Sequence, residues 1–226
     1  MLRVIGRLIA DTVLVAALLF SAAGTVGWPR AWILLATMLL ARIVGAIAVY
    51  QISPDLLHER AGLPLHGQQT AADRALLLGV LATGYLGLPI IAALDAFRWH
   101  TRPVPGQLLA AIGLGMFIVG WTLKSLALRA NAFAVTVVRL QTERTHTVVD
   151  SGPYGVVRHP FYAADPLILL GIGLWLQSYV AAICAVIPVA LMVMRLQHEE
   201  RLLRRELPGY AAYMDRVRFR LIPGIW

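Results

Sequence analysis

Apolar stretches of about 20 residues, the length that crosses the hydrocarbon core of a bilayer, recur along this chain, and no other feature restricts its fold as much. Residues 8–27, 30–50, 75–94 and 106–129 are each interrupted by no more than one or two polar groups. A lone strand cannot satisfy its backbone in lipid, so these segments read as helices. Mean hydropathy is +0.71 and only 14% of residues are charged, outside the range of ordinary soluble domains. The first stretch lacks a small-residue cleavage site after it and is expected to be retained.

Beyond a polar connector comes PLILLGIGLWLQSYVAAICAVIPVALMVM, two apolar arms that meet at Gln177 and Ser178. Each arm is about 14 residues, about 21 Å as a helix, which predicts a short helical hairpin. Asp165 and Pro166 suit its start as N-cap and first helical residue. Its second arm continues into RLQHEERLLRREL with helical periodicity and carries its charges into the interface, with a kink at Pro188. The resulting expectation is an all-α polytopic membrane protein of about six transmembrane helices, divided into residues 1–129, a four-helix membrane region, and 130–226, connector, hairpin and tail.

A net charge of +8 in a soluble chain would suggest nucleic acid. Here the basic residues flank apolar segments and read as topology and lipid-headgroup contacts, with no nucleic-acid partner. Arg3 and Arg7, connector residues Arg139, Arg144 and Arg158, and the arginines from Arg195 to Arg220 fall on one side, the cytoplasmic one by the positive-inside rule, together with both termini. Loop 51–74, nearly neutral, adds little to that inference. Trp28, Trp32 and Trp99 stand at helix ends, where an aromatic belt belongs. Cys184 reads as packing, and no His or Cys spacing suggests a metal site. Asp11, Arg42 and Lys124 are costly in a span unless they face a cavity or partner, and Arg42 reads equally as a substrate-side group or a snorkelling one.

Chemistry concentrates in GPYGVVRHPFYAADP, residues 152–166, and in RLQHEE, residues 195–200, which the hairpin returns toward it. Arg195 and Glu199 are four apart and share a helix face, whereas Glu200 is turned by about 100°. A pocket between connector and returning helix would hold imidazole, guanidinium and carboxylates at the bilayer edge.

HTVVDSGPYGVVRHPFYAADP, with RLQHEE, LPGYAAY and RVRFRLIPGIW, resembles the isoprenylcysteine carboxyl methyltransferase family of integral membrane methyltransferases, related to phospholipid N-methyltransferases. The resemblance covers about residues 125–226 and implies a cytoplasmic-side pocket for S-adenosylmethionine without a Rossmann domain. GIG at 171 and GLGMFIVG at 113 fail the dinucleotide spacing, and their use as close helix packing is the better reading. Carried over, His146, Thr147 and Val148 match the stretch around the adenine; Gly152 and Tyr154 match the turn around the cofactor. Arg158, His159, Pro160 and Tyr162 match the RHPxY signature, and Glu199 and Glu200 the paired acids. Arg195 matches the arginine implicated in catalysis. Gly155 stands where relatives commonly carry arginine, and Ala164 where they carry glycine, which adds a methyl group near the expected pocket. Tyr210, Tyr213, Arg216 and Arg218 match the tail, expected to pack over it.

The resemblance implies methyl transfer to a lipophilic small-molecule or lipid-modified substrate, foremost O-methylation of a carboxylate such as a prenylcysteine-like group, with no metal. A carboxylate is ionised at neutral pH and needs no general base, whereas an ammonium would be repelled by Arg195. A phospholipid amine N-methyltransferase, an NADPH-dependent membrane reductase sharing RHPxY, and a non-catalytic lipid-binding scaffold are the alternatives; Glu199 and Glu200 speak against a 2′-phosphate.

Overall fold

Gly24, at φ 72°, ends the first helix in the left-handed conformation that glycine adopts without a Cβ penalty. In this computed structural model, which describes residues 1–62, 69–136 and 146–226, that helix is α1 (Leu2–Ala23) and α2 (Pro29–Tyr50) follows, with Pro29 at its first position. Helix α1 therefore begins and ends earlier than the apolar run 8–27, because the helix carries Arg3 and Arg7 in its opening turns and Gly24 stops it. A short helix α3 (Pro54–Arg60) precedes α4 (Ala71–Val80), where the Thr70 side chain accepts from the Asp73 amide as N-cap. A π-helical stretch Leu81–Gly87, then α5 (Leu88–Leu94) and a second π stretch Asp95–Trp99, continue α4 into one apolar rod from Ala71 to Trp99.

Helix α6 (Gln107–Ala130) completes the first half. A 3-10 turn Gly152–Gly155 leads to α7 (Pro160–Trp175), and a corner at Gln177 and Ser178 leads to α8 (Tyr179–Cys184), α9 (Val186–Glu206) and a tail helix α10 (Tyr210–Arg216). Five helices are long and apolar enough to cross a membrane: Leu2–Ala23, Pro29–Tyr50, Ala71–Trp99, Gln107–Ala130 and Tyr179–Glu206; α7 is apolar but shorter. The protein is an all-α polytopic membrane protein, and no strand occurs among the described residues.

Two expectations about the hairpin fare differently. Helix α7 starts at Pro160 with His159 as N-cap, so Asp165 and Pro166 lie inside it. Pro160 already supplies the first-turn proline, and Asp165 is drawn to Lys124 on α6 instead of capping an amide. The break near Pro188 is present. Lacking an N–H, Pro188 cannot bond the Cys184 carbonyl, and α8 gives way to α9 at Ala185.

Helices α6 and α7 make the most extensive contact, and glycine makes it possible. A Cβ on Gly113 would lie 2.6 Å from Leu174 Cβ and 2.8 Å from the Trp175 amide, and one on Gly171 would lie 2.6 Å from the Gly113 carbonyl oxygen. These glycines let two backbones touch, as the small-residue reading expected. Around them α1 packs on α2 and α5, α2 on α6, and α4 on α9. The α4–α9 contact carries the N-terminal half onto the helix that bears Arg195 and Glu199.

Candidate functional site

The connector and α9 enclose a cavity of about 290 Å³, at the lower end of ligand-pocket sizes. Its walls include His146, Thr147, Val148, Tyr154, Arg158, His159, Tyr162, Arg195 and Glu199. Segments far apart in sequence thus meet where the motifs suggested. Gly152, Pro160 and Glu200 are not on the wall, and each has another task. Gly152 opens the 3-10 turn at φ 57°, a left-handed value natural to glycine. Pro160 starts α7, with its fixed φ suited to the first helical position.

Glu200 is the hub of a buried ion cluster. Arg158 Nε donates to its Oε1 at 2.7 Å, Arg220 Nε donates to its Oε2 at 2.7 Å, and His159 Nε2 stands 3.6 Å from Oε1. Arg158 NH1 also donates to the Val217 and Arg218 carbonyls at 2.8 Å. The backbone amides of Arg158 and His159 donate to the Phe219 and Arg220 carbonyls. Glu200 thereby locks the connector, α9 and the C-terminal tail together, with its oxygens spent on protein donors.

Glu199 is placed differently, although it is the next residue. Half-buried on the cavity wall, its Oε2 accepts from the Tyr162 hydroxyl at 2.6 Å. That hydroxyl accepts in turn from Arg195 NH1 at 3.1 Å. Arg195 Nε donates to Asp73 Oδ1 at 2.7 Å, and its NH2 donates to the Thr136 carbonyl at 2.7 Å. Arg195 and Glu199 are therefore linked through Tyr162 and not by a direct ion pair. A guanidinium has more N–H groups than these three acceptors use.

Tail helix α10 closes the cavity as expected. Tyr210 and Tyr213 are on its wall, and Tyr213 donates to the Tyr154 carbonyl at 2.8 Å. Burial pushes the Tyr213 phenol up to about 12 and drives Tyr154 and Tyr210 above the ordinary tyrosine range. The Tyr210 hydroxyl is buried and has no partner among the described residues. Arg216 pairs instead with Asp150 at the surface, where such a bond contributes little. His146, also on the wall, stacks on Phe133 with ring centres 4.4 Å apart.

A second, mostly apolar cavity of about 430 Å³ lies among α1, α2, α3 and α6. Arg42, weighed above as a substrate-side group, is on its wall but donates to Asp11 Oδ2 at 2.6 Å, and Arg7 holds Asp11 Oδ1 at 2.9 Å. The two cavities share Arg60, Leu81, Lys124, Thr136 and Phe161. Two cations contact the Phe161 ring, Lys124 Nζ at 4.0 Å and the Arg60 guanidinium at 4.8 Å from its centre. Burial lowers the Arg60 pKa to about 10, which leaves it charged at neutral pH.

Asp73 and Arg60 are absent from the motif reading because both lie in the region dismissed as nearly neutral. Asp73 is fully buried, and an ionisable residue at the start of an apolar span was the available signal. Ala164 is fully buried too, but against α6 near Gly120 and away from the cavity wall; Gly155 is exposed. Arg139 and Arg144 lie outside the described residues. Among those described, no group of three His, Cys, Asp or Glu is placed to hold a metal ion.

Fold and site together define a polytopic helical membrane protein with a cavity walled by an RHPxY turn and an Arg-Glu helix. Residues 108–208, somewhat less than half of the chain, match the family described as phospholipid methyltransferase. Its fold is similar to that of the eukaryotic intramembrane Ras methyltransferase, isoprenylcysteine carboxyl methyltransferase, with a TM-score of 0.56 over 95% of this chain and 74% of that one. At 21% identity this is a likeness of fold. Over 77 residues, 33% of its length, the chain is 36% identical to the cobalt-zinc-cadmium resistance protein CzcN of Cupriavidus metallidurans; the match spans 35% of that relative.

Proposed function

We propose that this protein transfers a methyl group from S-adenosylmethionine to a lipophilic acceptor at the membrane interface, with a carboxylate such as a prenylcysteine-like group as the acceptor. The carrying observation is the cavity that joins His146–Val148, the RHPxY turn, Arg195 and Glu199 within a segment matched by a methyltransferase family. The residues suit the cofactor's chemistry. Glu199 has one oxygen, Oε1, that accepts from no described protein donor, and a carboxylate suits ribose hydroxyls. The orphaned Tyr210 hydroxyl is a buried group in want of a partner. Tyr154, Tyr162 and the stacked His146 and Phe133 offer aromatic faces to an adenine and a sulfonium.

When bound, S-adenosylmethionine supplies an electrophilic methyl: an acceptor oxygen's lone pair makes the O–C bond while the S–C pair returns to sulfur, leaving thioether and ester. The protein's part is to orient and to exclude water. Arg195, held by Asp73 and Thr136, is fixed in direction and retains N–H groups for the acceptor. Residues 130–226 form the methyltransferase core on the four-helix region 1–129. The chain crosses about six times, with α7 as the short crossing, and both termini and the cavity mouth are cytoplasmic.

Binding of S-adenosylhomocysteine to the purified protein in detergent tests this reading. Apparent melting temperature should rise with S-adenosylhomocysteine, and the rise should vanish for Glu199→Ala. A rise with NADPH alone, or none with either ligand, would sink it.

A further inference from the structure

Among the described residues, every lysine and arginine on the walls of the two cavities pairs with a carboxylate except one. Lys124 pairs with Asp165, Arg42 and Arg7 with Asp11, Arg195 with Asp73, and Arg158 with Glu200. Among the described residues no carboxylate lies within ion-pair distance of Arg60. Its guanidinium donates to the Ala134 carbonyl at 2.6 Å and lies over the Phe161 ring, both of them neutral partners. Arg60 is half-buried, and a guanidinium partly withdrawn from water without a counter-charge carries a cost that falls when an anion arrives. Arg60 also stands where the two cavities share a wall, between the chamber lined by Tyr154, Tyr162, Arg195 and Glu199 and a second chamber whose lining is mostly apolar.

We propose that Arg60 binds the carboxylate of the methyl acceptor at this junction, while the cavity among α1, α2, α3 and α6 takes the acceptor's apolar remainder. The assignment of the occupant as acceptor rests on the methyl-transfer reading. Arg60 lies on α3, outside residues 108–208, so this selectivity is built by the part of the chain that the family match leaves out. A carboxylate suits the site better than a permanent anion. Methylation makes it a neutral ester, which ends the attraction to Arg60 and favours release of the product into the bilayer. An amine acceptor would gain nothing from Arg60 and would be repelled by it.

The test is equilibrium binding of oleate and of methyl oleate to the full chain in nanodiscs of zwitterionic lipid. The expected result is oleate binding about tenfold more tightly than its ester, the contribution of one charge-assisted contact. Arg60→Gln should remove most of the preference for oleate, the remainder being that due to Arg195, and leave ester binding unchanged, and Arg60→Lys should restore part of it. Retained ester binding shows that the variant is folded. Equal affinities for acid and ester in the wild type overturn the proposal without recourse to any variant, as does a folded Arg60→Gln protein that keeps the preference. If S-adenosylhomocysteine fails to bind while the Arg60-dependent preference persists, the methyl-transfer reading falls and the anion site stands. If S-adenosylhomocysteine binds and the preference is absent, the anion site alone falls.

Discussion

Glu199 and Glu200 are adjacent, chemically alike and both matched to the family's paired acids, yet their surroundings predict opposite consequences of the same substitution. Glu200→Gln leaves the Arg158 guanidinium, whose side chain is 5% exposed, and that of Arg220, at 33%, facing a neutral amide. Removing one partner of a buried pair costs about 3–5 kcal/mol. Because Arg220 is a third exposed, solvent screens its share, and the lower end, about 3 kcal/mol, is the expected loss. For a chain of this size that is about 6–12 °C in apparent melting temperature. Glu199→Gln keeps an oxygen for the Tyr162 hydroxyl and should shift melting by under about 2 °C, an amount expected of a minor surface change. Its effect should fall on the ligand, with S-adenosylhomocysteine affinity reduced at least about tenfold, the charge-assisted part of the contact. Differential scanning fluorimetry and calorimetric titration on the same preparations measure both quantities. Should Glu199→Gln destabilise as much as Glu200→Gln while binding S-adenosylhomocysteine normally, the division between ligand-facing and structural acid is refuted.

Other substitutions test the scaffold. Gly113→Ala should cost about 1–3 kcal/mol by forcing α6 and α7 apart, whereas Gly115→Ala, with nothing within 4 Å of the added Cβ, should not lower the melting temperature. A double-mutant cycle of Asp73→Asn and Arg195→Gln should show coupling of at least about 1 kcal/mol, since the two residues share one buried pair; additive effects would contradict it. Raising the pH should leave stability unaffected by Tyr213 up to about pH 10 and then erode it toward about pH 12. The folded phenol ionises later than the unfolded one, so the unfolded state sheds protons first and its stability share is lost as pH rises. Tyr213→Phe should flatten that decline in a pH titration of thermal unfolding.

What could be read from the sequence divides along a physical line. Properties set by the bilayer or by neighbouring residues were legible: the long apolar helices, the turn at Gln177 and Ser178, the break before Pro188 and the glycine contact between α6 and α7. A proline cannot donate and a span needs a certain length, whatever the rest of the chain does. The start of α7 was not read correctly, because Asp165 with Pro166 imitates a capped N-terminus, while Pro160 six residues earlier serves the same purpose. Local chemistry permits both, and only Lys124, brought by α6, shows where the Asp165 carboxylate goes.

Long-range pairing set the remainder beyond reach. Asp73 meets Arg195 across 122 positions, and nothing near either residue names the other. The helical rotation between Glu199 and Glu200 was visible, but which face turns toward the cavity depends on Tyr162 and on Arg220 in the tail. Two of the cations and acids that shape the site, Arg60 and Asp73, come from the stretch around α3 and the start of α4, whose near-neutral composition made it look uninformative. Net charge sums away what matters there: one acid is consumed by Arg195, and one cation is left without a counter-charge at the junction of two chambers. In the proposed methyl transfer the family-matched segment would supply the cofactor-facing wall, while the N-terminal half supplies the Asp73 brace behind Arg195 and would supply the charge facing an acceptor. Exchanging residues 51–74 for the corresponding loop of a homologue with a different acceptor should move acceptor preference and leave S-adenosylhomocysteine affinity unchanged. A change in both would mean that the two walls are not separable.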